Sequence, residues 1–185
     1  MAFAREGEKV SKSVLISIQP EWCKLIASGK KTVEIRKSRP MGYLPKKVYI
    51  YCTKGKNKLL DIMFDGEEFH GETYHGKPVF IKGFPESFFT KDYVCGNRKI
   101  IGEFICSKIE EFYMDDNGDY EISDDDLICS CLTGKKLKKY GKGNPLYMWR
   151  ISNLVIYDKP KELADFGKNK PPQSWYYVNE EDSSK

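Results

Sequence analysis

At 185 residues, with 40% hydrophobic and 14% aromatic side chains, the chain is long enough for one domain with its own core and too apolar to stay unfolded. Its formal net charge of +4 hides an asymmetry: residues 1–60 carry 14 Lys/Arg against 4 Asp/Glu, residues 61–134 carry 6 against 17, and residues 135–185 carry 11 against 6. No apolar run approaches the roughly 18 residues of a membrane span, and the opening Met1–Glu8 is too polar for a signal peptide, so a cytoplasmic protein without a membrane partner is expected.

Residues 1–12 read as an N-terminal arm. Val14–Ile18 is a β-branched run and predicts a strand. Pro20 then opens a helix at the position where a missing N–H matters least, and Trp22, Leu25 and Ile26 give it one apolar face. Gly29 ends that helix, with Lys30 and Lys31 at or just beyond its negative end. Thr32–Arg36 alternates with period two, Val33 and Ile35 to one side and Thr32, Glu34 and Arg36 to the other. Pro40, Gly42 and Pro45 punctuate a loop before the strand Lys47–Cys52.

Residues 54–98 read as a long insertion whose one signal is a hairpin ending in Pro78–Ile81. Lys99–Cys106 predicts a strand that runs on to Tyr113. Asp115–Asp119 is a turn that lacks the twelve-residue ligand pattern of a calcium loop. Ser123 caps a helix with Asp124, Asp125 and Asp126 in its first turn, continuing toward Leu132 and stopping near Gly134. Lys135–Tyr140 is a basic stub with the length of a second short helix. Leu146–Ile151 and Leu154–Tyr157 read as two last strands. The aromatic tail Pro171–Val178 is expected to pack back on the body, and Glu180–Lys185 to be disordered.

Short strands with few helices predict an α+β fold: one domain over residues 13–179, built as a small, partly open mixed β-barrel flanked by short helices. The six cysteines are scattered and read as free thiols, and Cys129-x-Cys131 lacks the spacing of a zinc module. Neither a metal nor a cofactor is expected. If the two basic ends fold together, they form a face that attracts polyanions.

The densest chemistry lies in Gly29–Arg36, where three cations and one carboxylate crowd a helix-to-strand junction. Gly29, Lys31, Glu34 and Arg36 together form Gly-x-Lys-x-x-Glu-x-Arg, and the segment resembles the ASCH domain family, a branch of the PUA-like barrels. Ile18-Gln19-Pro20 before it, Arg39-Pro40 after it and Ile101–Phe104 in the later strand fit the resemblance. Ile151–Pro160 and Pro171–Trp175 look like a phage and gut-bacterial subgroup.

The resemblance implies a PUA-like barrel with a cleft beside the first helix and a role in binding RNA or a nucleotide. In that reading Lys31 and Arg36 hold phosphate, Glu34 orients Arg36 or accepts from a base, and Thr32 and Arg39 flank them. Trp22, Tyr43, Trp149 and Trp175 are the candidate stacking platforms for unpaired bases. A hydrolase is the alternative, with Lys31 and Glu34 as its catalytic pair. Some ASCH relatives resemble amidohydrolases of acylated cytidine and others ribonucleases. The amidohydrolase nucleophile, a Thr, falls where this chain has Glu34. Glu103 and Asp124 are the only guesses for their catalytic Glu. A protein-interaction module docking through the acidic segment 61–134 is the third reading.

Overall fold

The structure is a computed structural model and describes residues 12–42, 44–55, 58–62, 79–81 and 93–179. Its centre follows from the two-residue period of a strand. In β1 (Lys12–Ile18), Val14, Ile16 and Ile18 enter one apolar cluster while Leu15 enters another on the opposite face. In β3 (Lys46–Cys52), Val48, Ile50 and Cys52 join the first cluster and Tyr49 and Tyr51 the second. The two strands are parallel, with Val14 opposite Val48 and Ile18 opposite Cys52. A parallel pair needs a crossover. Here it consists of α1 (Pro20–Ala27) and β2 (Val33–Arg36). α1 lays Cys23 and Ile26 on the first cluster, and Gly29 closes it in the left-handed region at φ 74°.

β2 is the four-residue strand Val33–Arg36, one residue shorter than expected because Thr32 lies just before it. Its alternation sends Val33 and Ile35 into a further cluster with Phe112, Leu137, Leu146 and Met148. β7 (Ile100–Phe112) and β8 (Leu146–Lys161) are long antiparallel strands with three register shifts between them. The two strands expected at Leu146–Ile151 and Leu154–Tyr157 are the halves of β8, with Asn153 at φ 47° between them. Gly102 is required where these strands cross, because a Cβ there would collide with the Val155 carbonyl. β9 (Trp175–Asn179) is the aromatic tail, and it pairs antiparallel with β1.

The main sheet therefore runs β2-β8-β7-β3-β1-β9. It is not closed, so the expected barrel is corrected to an open six-stranded sheet within an α+β fold. β2 and β9 remain its edges. Instead of a strand ladder, a side chain spans the gap: Arg36 Nη2 on β2 donates to the Ser17 carbonyl of β1 at 2.6 Å. Strand signals are local and cannot specify whether the first and last strands of a sheet meet.

Two short helices complete the body. α2 (Asp124–Ser130) starts at Ser123, whose Oγ accepts from Asp126 N at 3.1 Å, and ends at Cys131 in the left-handed region. The basic stub becomes α3 (Gly134–Gly141), capped by Thr133, with Leu137 completely buried beneath it. A 3-10 turn, Leu163–Phe166, places Phe166 against Tyr49. In the insertion, β4 (Lys58–Ile62) pairs antiparallel with β5 (Val79–Ile81) on one side and β6 (Tyr93–Cys95) on the other, and this small sheet lies against α1. The tail 180–185 and residues 1–11 lie outside the described residues; Lys12, expected in the arm, belongs to β1. No described helix is long and apolar enough to cross a membrane.

Candidate functional site

β2 lies at a sheet edge, so the face opposite Val33 and Ile35 is free to carry charge. Glu34 sits there, directly across from Trp149 of β8. Its carboxylate joins two cations: Oε2 is 3.3 Å from Lys31 Nζ and Oε1 is 3.0 Å from Arg36 Nε. The three side chains are only 2%, 8% and 10% exposed for Lys31, Glu34 and Arg36.

Taking such charges out of water costs several kcal/mol each unless polar partners replace the water (about 3–5 kcal/mol when one partner is lost). Backbone carbonyls supply them. Lys31 Nζ donates to the Ser130 carbonyl at 2.6 Å, which is the negative end of α2. Arg36 Nη2 donates to Ser17. α2 is held in place around this contact. Thr32 N donates to the Cys129 carbonyl at 3.0 Å, and Cys131 Sγ lies 3.4 Å from the Lys30 carbonyl.

The triad lines a hollow of about 380 Å³. That size falls at the lower end of the roughly 300–1,000 Å³ of small-molecule sites. One wall is Trp22 of α1, half-buried, with Lys31 Nζ 5.3 Å from its ring centre. The facing wall is α3, which contributes Lys136 and Tyr140, four residues apart on one side of that helix. Lys136 Nζ stands 5.2 Å from the same Trp22 ring. Tyr140 is 37% exposed, and burial pushes its phenol above the ordinary tyrosine value, with Arg36 opposing and Glu34 reinforcing the shift. It therefore stays a neutral hydrogen-bond donor. Gln19 and Gln173 bring amides, and Ser17 and Thr53 bring hydroxyls. Among the ionised lining groups, three cations face one carboxylate.

Of the residues singled out in the sequence, Lys31, Glu34, Arg36 and Trp22 line this hollow, whereas Thr32, Arg39, Trp149 and Trp175 do not. Thr32 is exposed and engages its neighbours through its backbone. Arg39 is exposed and stacks on Tyr147, 5.9 Å from its centre. Trp149 is corrected from stacking platform to core: it is 0% exposed and belongs to the main apolar cluster. Trp175 packs 6.1 Å from Trp149, and its Nε1 donates to Ser38 Oγ at 3.0 Å. Tyr43 lies outside the described residues. Glu103 accepts from the Tyr157 hydroxyl on another part of the sheet, and Asp124 lies at the far end of α2 from Lys31. Lys136, Tyr140 and Gln173 carried no local signal, since their approach to β2 depends on long-range packing.

The comparisons with known proteins agree with this architecture. The crystal structure of ASCH from Zymomonas mobilis superposes with a TM-score of 0.59 at 18% identity, covering 93% of this chain and 91% of that one. A mutant form of the same protein gives 0.58 over 93% and 94%. At this identity the likeness establishes the fold. A curated relative from Zymomonas mobilis subsp. mobilis, named ASCH domain-containing ribonuclease, is 46% identical over 43 residues. That stretch is 23% of this chain and 29% of the relative's length. A sequence profile of the ASCH domain matches residues 16–111, which include the end of β1, all of α1 and the charged β2, and most of β7. As this match spans just over half of the 185 residues, the chain belongs to the ASCH domain family.

Proposed function

We propose that this protein binds single-stranded RNA by taking one nucleotide into the hollow between α1, β2 and α3. The observation that carries the reading is the juxtaposition of Trp22 and Tyr140 with an excess of cations, two buried and one exposed, in a space too small for a duplex. An unpaired base offers a π-face to either ring, worth roughly 1–3 kcal/mol per stacked base. Gln19, Gln173 and the Tyr140 hydroxyl are the groups suited to read base or sugar edges. The field of Lys31, Arg36 and Lys136 attracts the phosphate.

Cleavage of the held strand is the second reading, favoured by the ribonuclease name of the Zymomonas relative and by the Lys31–Glu34 pair in the hollow. The geometry supports holding more than cleaving. Both Glu34 oxygens already face a cation, and Lys31 already donates to a backbone carbonyl, so neither is poised to move a proton. Thr32, on β2's approach, is outside the hollow, and the Ser17 hydroxyl that lines it already donates to the Pro172 carbonyl. Fluorescence anisotropy with a labelled single-stranded RNA tests the main reading. Wild type binds and Tyr140→Ala weakens binding; equal binding by both defeats the reading. Intact RNA after prolonged incubation separates holding from cleavage.

A further inference from the structure

The signature residues are the obvious phosphate ligands, yet each is buried and already engaged with a backbone carbonyl and with Glu34. Lys31 is 2% exposed and divides its ammonium between Ser130 and Glu34. Arg36 divides its guanidinium between Ser17 and Glu34. Each contact ties a different element to β2: α2 through Ser130, and β1 through Ser17. Withdrawing either cation to meet a ligand would strip a buried carboxylate and a buried carbonyl together.

Lys136 is in the opposite position. It lines the same hollow, is exposed, and among the described residues has no carboxylate within ion-pair distance. Its ammonium stands over the Trp22 ring, 5.2 Å from the ring centre. On the same helix, Lys138 is already paired with Asp119 at 2.8 Å. The backbone N–H of Lys136 is used by the Thr133 cap, which fixes where its side chain leaves α3.

We infer that Lys136 of α3, not the signature pair Lys31 and Arg36, is the cation that contacts the ligand's phosphate. The Lys31–Glu34–Arg36 triad is then a positioning device that fixes the hollow's shape and field. This inference rests on the RNA-binding reading and assigns the contact within it. Lys136 over Trp22 places a phosphate beside the ring on which its base would stack, and Tyr140 one turn further along α3 faces the same space. A nucleotide so held is gripped by two helices, whereas the strand residues stay in their resting contacts.

The test measures binding of a fluorescein-labelled RNA hexamer of randomised sequence as salt is raised, for wild type, Lys136→Gln, Lys136→Arg and Lys138→Gln. Each phosphate contact to a single strand contributes about 0.7 to the log–log salt slope. Lys136→Gln is expected to lose that increment and to bind roughly tenfold more weakly, the size of a charge-assisted hydrogen bond. Lys136→Arg is expected to keep the slope, and Lys138→Gln to match wild type. Wild type that binds with a slope unchanged in Lys136→Gln overturns the assignment and leaves the RNA reading standing. So does a Lys138→Gln loss equal to that of Lys136→Gln, which would report only net charge. Wild type that binds no RNA at all overturns both. Unaltered melting of Lys136→Gln separates lost contact from lost fold.

Discussion

α2 is held at both ends by charge, and its two ends are built on different terms. At its C-terminus, Lys31 sits beneath 2% exposure between the Ser130 carbonyl, Glu34 and Trp22. Near its N-terminus, Arg150 of β8 reaches Asp126 and also Glu110 of β7, with Nε 2.9 Å from Glu110 Oε2. These groups are 31%, 17% and 28% exposed for Arg150, Asp126 and Glu110. The outer network has water as a standing alternative and so contributes modestly. The inner one has only carbonyls and other charges, so it is costly to break and sets geometry. Both contain Arg and a carboxylate, and burial alone separates a brace on the surface from a fixed wall of the hollow.

The sharpest way to break this comparison is to remove one inner charge. Lys31→Met leaves Glu34 half-neutralised and the Ser130 carbonyl unpaired, and a loss of about 3–5 kcal/mol is expected in denaturant unfolding. A loss under about 1 kcal/mol would place the triad in the same class as the surface network. Next in size is ligand binding. Tyr140→Ala is expected to cost roughly 1–3 kcal/mol of RNA affinity with little change in melting, as one lost stacking platform.

The outer network gives a smaller effect and a pH signature. Asp126 lies below the usual carboxylate range, chiefly because Arg150 donates to it, with Ser123 adding. A depressed folded-state value stabilises the fold above the ordinary aspartate value near ~3.9, and that stabilisation fades as pH falls through the lower folded value. Asp126→Asn should therefore cost about 1 kcal/mol at neutral pH, and the gap to wild type should close in acid. A gap that stays constant down to acid unfolding would mean that Arg150 does not hold Asp126 in its charged form. The smallest effect is expected from Thr32→Ala and Arg39→Ala, which lie outside the hollow and should each leave RNA affinity within about twofold, the scale of an exposed polar contact.

What the sequence could reveal follows the same division between near and far. The face of β2 that carries Glu34 and Arg36 is a matter of period two, and the end of α1 at Gly29 is a matter of backbone conformation, so both were legible from adjacent residues. The partner of Lys31 is 99 residues away, and Ser17 Oγ donates to Pro172, 155 residues away. No local pattern names such partners. Trp149 shows the limit from another side. An aromatic residue on a strand reads the same whether its face is a cleft or a core, and here β8 turns it inward against Trp175. The open sheet was equally hidden, since closure depends on how far bent strands such as β7 and β8 carry their neighbours.

The proposed RNA binding requires a nucleotide to enter the space between Trp22 and Tyr140. Photocrosslinking of a 4-thiouridine-containing single-stranded RNA, followed by peptide mass spectrometry, tests this directly. Adducts on the α1 peptide carrying Trp22 or the α3 peptide carrying Tyr140, suppressed by unlabelled RNA, are the predicted result. Crosslinks confined to surfaces away from both helices, with these two peptides unmodified, would contradict it.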